Sequence, residues 1–361
     1  EFDIWKGFTW RSTINIDTES NNHRTYTPKE AAGGINSIGT KSSGTYQTGF
    51  ATTWLTEHTL NYSNTFGNHN LDVLGGFTAQ KYRWEGVGLY GENYSNDYPW
   101  LNQAQTTKMD PNGSNTPTAW AVASFIARVN YGYKDRYLFQ AALREDGCSR
   151  FGVDNRWGLF PAVSAGWIVS EESLMKSLNP VLNYLKVRAS YGATGNNNIG
   201  DYTYLASIAN QNYVFNGQIV GGTSLSSLEN RELGWEITKQ LDLGLDFGFL
   251  NDRIYVQADY WDKRTSDMLY NLSLPYSSGY GSIWTNVGKV KFWGFDFDLE
   301  TKNLVGEFKW STNLNFSVSK NKVLSLGQST DHLGGDNDYG GDWNRTEVGK
   351  PMGFLYGYVY D

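Results

Sequence analysis

The sequence predicts an all-β protein, a transmembrane antiparallel β-barrel, and three observations carry that prediction. Apolar and polar residues alternate with a period of two along most of the 361 residues, a pattern typical of strands with one apolar and one polar face. The alternating runs are longer than the average strand of ~5–6 residues in soluble proteins. Short and long connections alternate between the runs, as they do at the two rims of an outer-membrane barrel.

The run from Trp235 to Phe249 shows the alternation most clearly. Its odd-numbered positions carry seven apolar residues and one lysine, whereas Glu, Thr, Gln, Asp and Gly occupy the even-numbered positions. At ~3.3 Å per residue and a tilt of ~40°, a strand of this length rises roughly 38 Å. It therefore overshoots an apolar band ~25 Å tall, as the strands of outer-membrane barrels do.

The same pattern predicts eleven strands and the beginning of a twelfth. The eleven are residues 2–17, 45–62, 70–84, 118–133, 136–146, 157–169, 185–193, 235–249, 254–260, 293–300 and 308–318, and the twelfth begins within 355–361. Short turns are predicted at 63–69, 133–136, 250–253 and 302–306, and long loops at 17–43, 85–117, 195–233, 266–284 and 322–352. The connection 171–183 is longer than the other short turns, and we expect one turn of helix there.

The composition excludes several other classes of protein. A disordered chain would lack the 16% of aromatic residues found here, and a helical membrane protein needs runs of ~20 apolar residues, which do not occur. The net charge of -7 gives no electrostatic footprint for nucleic acid, and a single cysteine, Cys148, excludes an internal disulfide framework. The hydrophobic fraction of 39% is low because a barrel wall needs apolar residues on one parity only.

The two parities of the predicted strands carry separate expectations. We expect the polar parity to face the lumen, and its members include Thr238, Gln240, Asp242, Asp246, Asp296, Asp298 and Glu300. Four lysines occupy the lipid-facing parity, namely Lys239, Lys289, Lys291 and Lys320. A Lys at the bilayer midplane costs ~2–4 kcal/mol, but each of these lies toward the long-loop end of its strand. We expect them at the outer interface, where they either bind lipid phosphates or extend their amines into water.

Aromatic residues crowd the long loop 85–117 and the end of the strand before it. Five of them form the predicted substrate-binding set: Trp84, Tyr90, Tyr94, Tyr98 and Trp100. Amides and carboxylates lie between these rings in the sequence, and flat rings beside such groups suit stacking on sugars or peptides, or a protein partner. The alternative is a loop whose rings pack on one another.

A second loop, residues 331–344, offers hard oxygen ligands on a glycine-rich backbone. Its candidate ligands for a structural Ca²⁺ are Asp331, Asp336, Asp338 and Asp342. Their spacing differs from that of an EF-hand, and a solvated polar loop is the alternative. We predict no other cofactor.

No motif in the sequence supports catalysis. The string from Gly86 to Gly91 matches a dinucleotide fingerprint but lacks the βαβ context that the chemistry requires. The four histidines are scattered without the spacing of metal ligands, and no nucleophile stands beside a base. The sequence therefore predicts a protein that is not an enzyme.

Several longer strings occur in collinear order over roughly residues 120–361. They are Arg144–Gly152, Asn155–Trp167, Leu185–Asn196, Ile199–Tyr202, Trp235–Asn251, Tyr260–Thr265, Asn286–Val290, Asn321–Leu326 and Val348–Gly353. Together they resemble the barrel of the SusC/RagA family of TonB-dependent transporters. Residues 1–119 resemble it by strand pattern only, and Cys148 stands where the family string has a small Ser or Ala.

The resemblance implies a Bacteroidota outer-membrane protein that imports oligosaccharides or peptides. It also implies partners: a SusD-like surface lipoprotein that covers the barrel, and TonB–ExbB–ExbD, acting through an N-terminal part that we expect this chain to lack. Barrels of such transporters have ~22 strands and an N-terminal plug. We therefore expect residues 1–361 to be about half of one barrel domain, without the plug and the C-terminal strands.

Three other functions are open on the sequence. A TonB-dependent siderophore or cobalamin receptor shares the barrel without the strings above. A soluble β-rich glycan-binding protein would stay compact without detergent. A passive diffusion pore would conduct steadily in a bilayer.

Overall fold

The structure is a computed structural model, and it describes residues 1–29, 31, 41–96, 100–110, 117–178, 181–327, 332–334 and 344–357. These residues contain twenty strands and five short 3₁₀ helices. The strands are β1 (Phe2–Trp5), β2 (Phe8–Thr27), β3 (Ser43–Phe66), β4 (His69–Tyr94), β5 (Ala104–Met109), β6 (Thr118–Tyr133), β7 (Tyr137–Cys148), β8 (Trp157–Ile168), β9 (Leu182–Asn196), β10 (Ile208–Phe215), β11 (Gln218–Leu225), β12 (Glu236–Phe249), β13 (Ile254–Ser266), β14 (Leu269–Ser273), β15 (Ser282–Asn286), β16 (Lys289–Val305), β17 (Lys309–Ser325), β18 (His332–Gly334), β19 (Asn344–Glu347) and β20 (Phe354–Leu355). The 3₁₀ helices are Leu101–Gln103, Val153–Asn155, Val169–Glu171, Ser173–Met175 and Tyr276–Ser278.

Most of the strands belong to one sheet. It has thirteen strands, in the order β1-β2-β3-β4-β6-β7-β8-β9-β12-β13-β16-β17, with β5 paired to β4. Apart from the short β1 and β5, these are eleven long strands that follow one another across the sheet in chain order. The pairs from β7 to β9 and from β9 to β17 are antiparallel. The predicted all-β class and its eleven antiparallel strands are confirmed.

Several strands extend further into the long connections than the alternation predicted. β3 has 24 residues and β4 has 26, so β4 covers the first part of the predicted loop 85–117. β2 likewise continues to Thr27, ten residues beyond the predicted end of the first strand. These ends are rich in Thr, Asn, Gly and Tyr, so their apolar alternation is weak even though backbone pairing continues.

The predicted first strand is interrupted near its start. A turn at Lys6 and Gly7 separates β1 from β2, and Phe2 pairs with Trp10 as the two strands fold back on each other. Gly7 has φ of 81°, a conformation that glycine reaches without steric cost. The alternation hides this turn because the residues on either side of it keep the same parity.

The long connections contain small sheets of their own. β10 pairs with β11 inside the predicted loop 195–233, and β14 pairs with β15 across the predicted loop 266–284, with β15 ending two residues beyond it. β18, β19 and β20 form a three-stranded sheet. Because β20 pairs with β19, Phe354–Leu355 does not begin a twelfth strand of the large sheet, and residues 358–361 lie outside the described residues.

On β12, the apolar parity is more exposed than the polar parity. On β12, Leu241, Leu243 and Leu245 are 37%, 46% and 40% exposed, whereas Asp246 on the opposite parity is 3% exposed. Other exposed members of the apolar parity are Phe139, Leu143, Leu159, Val163, Phe295, Leu314 and Phe316. Soluble proteins bury large apolar side chains and almost never fully bury an aspartate. We call these two sides of β7–β17 the apolar face and the polar face.

Tight turns join the strands at one end. Lys134 and Asp135 connect β6 to β7 with φ of 54° and 52°, and Leu250, Asn251 and Asp252 connect β12 to β13 with φ of 54°, 57° and 57°. Asn and Asp are enriched in this left-handed region. The short turns predicted at 133–136 and 250–253 are therefore present.

The longer connection between β8 and β9 contains the expected helical turn in the form of two 3₁₀ turns, Val169–Glu171 and Ser173–Met175. Beside it, the Glu172 carboxylate accepts hydrogen bonds from the Tyr137 hydroxyl at 2.6 Å, the Trp167 indole at 3.2 Å and the Arg136 guanidinium at 2.9 Å. The hydrogen bond from Tyr137, followed by that from Trp167, lowers the pKa of Glu172 below its ordinary value.

A compact apolar cluster lies at the opposite end of β7 and β8. Phe151 and Leu233 are fully buried, and Cys148 is 1% exposed. The ring of Trp235 lies 5.1 Å from that of Phe151 and 5.3 Å from that of Phe160, measured between centroids. The cluster joins the β7–β8 connection to the segment that enters β12.

Contacts divide the chain into two compact units. The first unit comprises Glu1–Arg11, Thr59–Phe77 and Ser124–Asp361, and the second unit comprises Ser12–His58 and Thr78–Ala123. The apolar cluster and the two faces of β7–β17 belong to the first unit. The predicted aromatic set belongs to the second unit.

Candidate functional site

The polar face of the first unit carries a network of paired charges. Arg188 on β9 lies opposite Gly244 on β12, and Gly244 lies opposite Asp259 on β13. The Arg188 guanidinium donates to Asp246 at 2.7 Å through Nη2 and at 3.0 Å through Nε. Across Gly244, it also donates to Asp259 at 3.1 Å. The predicted lumenal residue Asp246 is thus held by an arginine that the sequence reasoning did not single out.

Because Gly244 has no side chain, the Arg188 guanidinium can pass over it and reach Asp259. A Cβ at this position would lie 2.7 Å from Cζ of Arg188 and would also overlap the carboxylate of Asp259. Any other residue would push the guanidinium off its path between the two carboxylates. The polar alternation Lys186, Arg188, Ser190 on β9 is the signal that could have identified the arginine.

A second set of polar contacts lies beside the first on β12. Asp242 accepts hydrogen bonds from Ser190 at 3.1 Å and from Gln240 at 2.7 Å, and Thr238 shares a hydrogen bond of 2.9 Å with Thr265. The expected polar residues of β12 therefore lie on one face and contact one another.

The expected polar residues of β16 continue this face. Asp296 lies opposite Asp259 and accepts a hydrogen bond from Ser317 on β17. Asp298 and Glu300 follow on the same parity, and Glu300 is exposed. Three acidic residues in a row thus stand on the polar side of β16.

A cavity of about 770 Å³ opens on the polar side of the first unit. Its charged and amide-bearing lining residues include Asn70, Asp72, Asn130, Asp135, Lys186 and Arg188. The Asp72 carboxylate accepts hydrogen bonds from Asn61 at 3.0 Å and from Asn130 at 3.1 Å. With both signs of charge on its walls, this cavity suits a polar occupant.

Trp84, a member of the predicted substrate-binding set, lies in the second unit and packs against β3 and β4. A Cβ on Gly49 of β3 would lie 2.7 Å from the Trp84 indole nitrogen, and a Cβ on Gly86 would overlap the same ring. The indole therefore lies flat over two glycines. Gly86 is the first residue of the string that matches a dinucleotide fingerprint. In this structure it packs against the Trp84 ring.

Tyr90 lines a polar cavity of about 490 Å³. Lys108 on β5 lies opposite it, with Nζ 5.0 Å from the centre of the tyrosine ring and 3.7 Å from a carboxylate oxygen of Glu92. Asp110, 3% exposed, accepts a hydrogen bond of 3.2 Å from Gln47. Lys108 and Asp110 escaped the sequence reasoning because residues 104–109 were interpreted as loop and not as a strand paired to β4.

Tyr94 and Trp100 have different surroundings. Asn93, with φ of 57°, interrupts the alternation of β4 just before Tyr94. The Tyr94 ring packs edge-on against Tyr26 at a centroid distance of 5.3 Å. The Arg24 guanidinium lies 4.1 Å from the centre of the Trp100 ring, beside a second cavity of about 560 Å³.

The cavity beside Tyr90 and the cavity beside Trp100 open on opposite sides of β2. His23 and Thr25 line the Tyr90 cavity, whereas Arg24 between them lines the Trp100 cavity. Successive residues of a strand point to opposite faces. The structure therefore distributes the predicted aromatic set over separate surfaces, and Tyr98 lies outside the described residues. The role of these residues in substrate binding stays a prediction.

The predicted calcium ligands Asp331, Asp336, Asp338 and Asp342 all lie outside the described residues. Within the part of the chain that the structure describes, no group of three or more His, Cys, Asp or Glu side chains is placed to hold a metal ion. In that same part, no helix is long and apolar enough to cross a membrane, which is a statement about helices and not about strands.

The polarity of the large sheet defines the class of protein. Exposed leucine, valine and phenylalanine on one face and paired charges on the other are what a membrane-spanning β-barrel wall requires, because lipid replaces water against its outer face. The chain is part of a β-barrel of the bacterial outer membrane. It belongs to the TonB dependent receptor-like, beta-barrel family, whose model matches residues 1–358. The match includes residues 1–119, where the sequence reasoning had only a strand pattern.

Comparison with individual proteins confirms the SusC/RagA resemblance. The chain is 34% identical over 355 residues to TonB-dependent receptor P39 of Formosa agariphila, covering 98% of this chain and 33% of that protein. It is 32% identical over 324 residues to TonB-dependent receptor SusC of Bacteroides thetaiotaomicron, covering 84% and 31%. In fold, it matches the structure of the RagAB peptide transporter with a TM-score of 0.83 at 24% identity, covering 96% and 38%. The chain thus spans about a third of the length of the curated relatives it matches.

Proposed function

We propose that the protein containing this chain is a SusC-like TonB-dependent importer of oligosaccharides or peptides across the outer membrane. The observation that carries the proposal is the inverted polarity of the sheet, an exposed apolar face backed by paired charges, in a chain of the TonB-dependent receptor family. The identity to SusC favours this importer over a siderophore or cobalamin receptor. We assign no catalytic step to the chain.

In this proposal, the polar face lines the lumen. The contacts of Arg188 with Asp246 and Asp259 fix three adjacent strands to one another on that side. A plug seated against this face would meet polar groups that are already hydrogen-bonded, so it could bind or move without leaving an unpaired charge behind. Energy from TonB would then act on the plug, while the wall stays rigid.

The polar cavity beside Tyr90 is our candidate for a substrate subsite. It combines an aromatic ring, the Lys108 ammonium and the carboxylates of Glu92 and Asp110 around one space. Sugars stack on rings and donate hydroxyl hydrogen bonds to carboxylates, and peptides offer amides and charged termini to the same groups. Trp100 with Arg24 offers a second surface, where an aromatic ring and a cation lie beside side-chain amides and no carboxylate lines the cavity among the described residues.

The hairpin β10–β11 is our candidate for contact with a SusD-like lipoprotein. Its apolar side chains project from the long connection between β9 and β12, with Tyr213, Phe215 and Ile219 each at least 70% exposed. Exposed apolar patches of this kind mark sites of protein association. The resemblance to the SusC/RagA family supports a partner of this kind.

The function is tested with the intact protein in its native bacterium. Uptake of defined oligosaccharides and peptides is measured in the parent strain, in a strain lacking the gene and in a strain lacking TonB function. We expect one substrate class to lose uptake in both mutant strains. Uptake that persists without TonB would support a passive pore, and loss confined to iron chelates or cobalamin would support the alternative receptor.

The partner is tested by affinity purification of the intact protein from the outer membrane. We expect the double variant Phe215→Ser and Ile219→Ser to lose the co-purifying lipoprotein. A matched control replaces Leu174 and Phe308, which are also exposed but lie on the short-turn side, by serine. Equal recovery of lipoprotein with both double variants would contradict the assignment of the hairpin.

A further inference from the structure

Four cationic residues stand side by side across four adjacent strands of the first unit. Lys239 on β12 lies opposite Arg264 on β13, Arg264 lies opposite Lys291 on β16, and Lys291 lies opposite Lys322 on β17. We call these four residues the basic row. With neighbouring strands ~4.8 Å apart, the row is about 14 Å long.

The basic row lies on the apolar face. Lys239 shares the parity of Leu241, and Lys291 shares that of Phe295. Val290 precedes Lys291 and Val323 follows Lys322, so both valines point to the opposite face. They are 2% and 0% exposed. The cations therefore project on the same side as the apolar side chains that face lipid.

The row also lies at the edge of the apolar band. Ten residues separate Lys239 from Phe249 at the short-turn end of β12, which corresponds to about 25 Å of height at a tilt of ~40°. That height equals the apolar band of outer-membrane barrels, ~25 Å. Trp293, one position below Lys291 on the same parity, is of the residue type found at membrane interfaces. The row is thus at the water boundary, on the side of the long connections.

The protein neutralises little of this charge. Asp262 contacts Arg264 at 3.1 Å and Lys291 at 2.7 Å. Within the described residues, the lysines without an ion pair include Lys239 and Lys322 of the row and their neighbours Lys289 and Lys320. Like charges directly opposite in a sheet are destabilising. Among the residues that the structure describes, Asp262 is thus the one carboxylate that forms an ion pair with any of these six cations, so the group can bind anions from outside the chain.

We propose that the basic row, with Lys289 and Lys320 beside it, binds the phosphate groups of an anionic lipid in the outer leaflet. Lipid head groups lie at the height of the row, and phosphate oxygens accept charge-assisted hydrogen bonds from ammonium and guanidinium groups. A row about 14 Å long meets more than one phosphate at once, which favours a lipid with two phosphates. The acyl chains of the same lipid would cover Leu241 and Phe295 below.

Lipid binding at the basic row requires only that the wall lies in the membrane and is independent of the transported substrate. Arg264 and Lys322 join the four lysines that the sequence indicated through strand register alone. Asp262 contacts two of the cations and offsets part of their charge, so it competes with an added anion and does not help to bind it.

The proposal is tested with the full-length protein in phosphatidylcholine nanodiscs that contain a small fraction of diphosphoryl lipid A. Bound lipid A per protein is measured by native mass spectrometry for the wild type and for the variant K239Q/R264Q/K291Q/K322Q. Each Lys or Arg near an anionic lipid surface changes binding by roughly fivefold. We expect the variant to retain at least about tenfold less lipid A, even with screening by salt.

Three comparisons decide the outcome. The control variant K134Q/K176Q/K302Q/K309Q removes four charges from the short-turn side and should retain lipid A as the wild type does. D262N removes the carboxylate and should retain as much lipid A as the wild type or up to about fivefold more, whereas a merely structural role of the row predicts a loss. A wild-type protein in nanodiscs of phosphatidylcholine alone, supplied with inorganic phosphate, should hold no phosphate.

Equal retention by the wild type and the basic-row variant overturns the proposal, and so does equal loss in the control variant. Phosphate held without lipid A would assign the row to free phosphate and overturn the lipid assignment. If the basic-row variant fails to fold, as judged by its heat-modifiable migration, loss of lipid A in folded D262N overturns the proposal by itself.

Discussion

Replacement of Arg188 by methionine tests whether the polar face is built on paired charges. The substitution keeps an unbranched apolar stem and removes the guanidinium that contacts Asp246 and Asp259. Asp246 is 3% exposed and would lose all three hydrogen bonds that it accepts from Arg188. A buried carboxylate without a partner destabilises the folded state.

The expected magnitude follows from the burial of the three groups. Breaking a fully buried ion pair by removing one partner costs ~3–5 kcal/mol. The side chains of Arg188 and Asp259 are 33% and 27% exposed, so solvent screens part of the interaction. We therefore expect Arg188→Met to lower the free energy of unfolding by about 2–3 kcal/mol. Asp246→Asn should cost less, about 1–2 kcal/mol, because Arg188 keeps Asp259.

The assay is equilibrium unfolding of the full-length protein in detergent, followed by its heat-modifiable migration. Arg231→Gln is the matched control, since Arg231 forms an exposed pair with Glu229 at 3.5 Å and exposed pairs contribute ~0–1 kcal/mol. Gly244→Ala provides an independent test, because the added methyl group displaces Arg188 without removing a charge. If Arg188→Met and Gly244→Ala destabilise the protein no more than Arg231→Gln, the polar face does not depend on this network and the reasoning is wrong.

Three further predictions follow from other contacts. Hydrogen bonding lowers the pKa of Glu172 in the folded chain. Its carboxylate therefore stabilises the fold above the unfolded pKa, and this contribution is lost as the pH falls through the folded pKa. On acidification, the Tm of the wild type should fall more than that of Glu172→Gln, and an equal fall in both proteins would contradict this prediction. Phe151→Ala should lower the free energy of unfolding by about 3–5 kcal/mol, because the side chain is fully buried; an unchanged denaturation midpoint would refute the cluster. Gly86→Val should cost about 1–3 kcal/mol by displacing Trp84, whereas Gly75→Ala, whose Cβ would meet nothing within 4 Å, should be neutral in the same denaturation experiment.

The sequence by itself determined the architecture and the orientation of side chains. Alternation with period two is a local property of extended backbone, so Leu241, Leu243 and Leu245 could be assigned to one face and Asp246 to the other before any contact was known. The eleven long strands and the turns at 133–136 and 250–253 followed in the same way, because Asn251 and similar residues mark their own turns, whereas β16 continues to Val305 through most of the turn predicted at 302–306. The sequence strings that resemble the SusC/RagA family, from Arg144 onward, identified the scaffold because they are also local features of strands and turns.

Register and pairing were decided only by the tertiary structure. The approach of Arg188 to Asp259 across Gly244, and the alignment of Lys239 with Arg264, depend on how separate strands slide against one another. A shift of one residue would move every side chain to the other face, but the periodicity of a single strand says nothing about its neighbour. The same limit explains the aromatic set: Tyr90 and Trp100 are near in sequence, yet a left-handed Asn93 and the pairing of β5 separate them. Local geometry thus set the two faces of this wall, and long-range pairing chose which residues meet on each face.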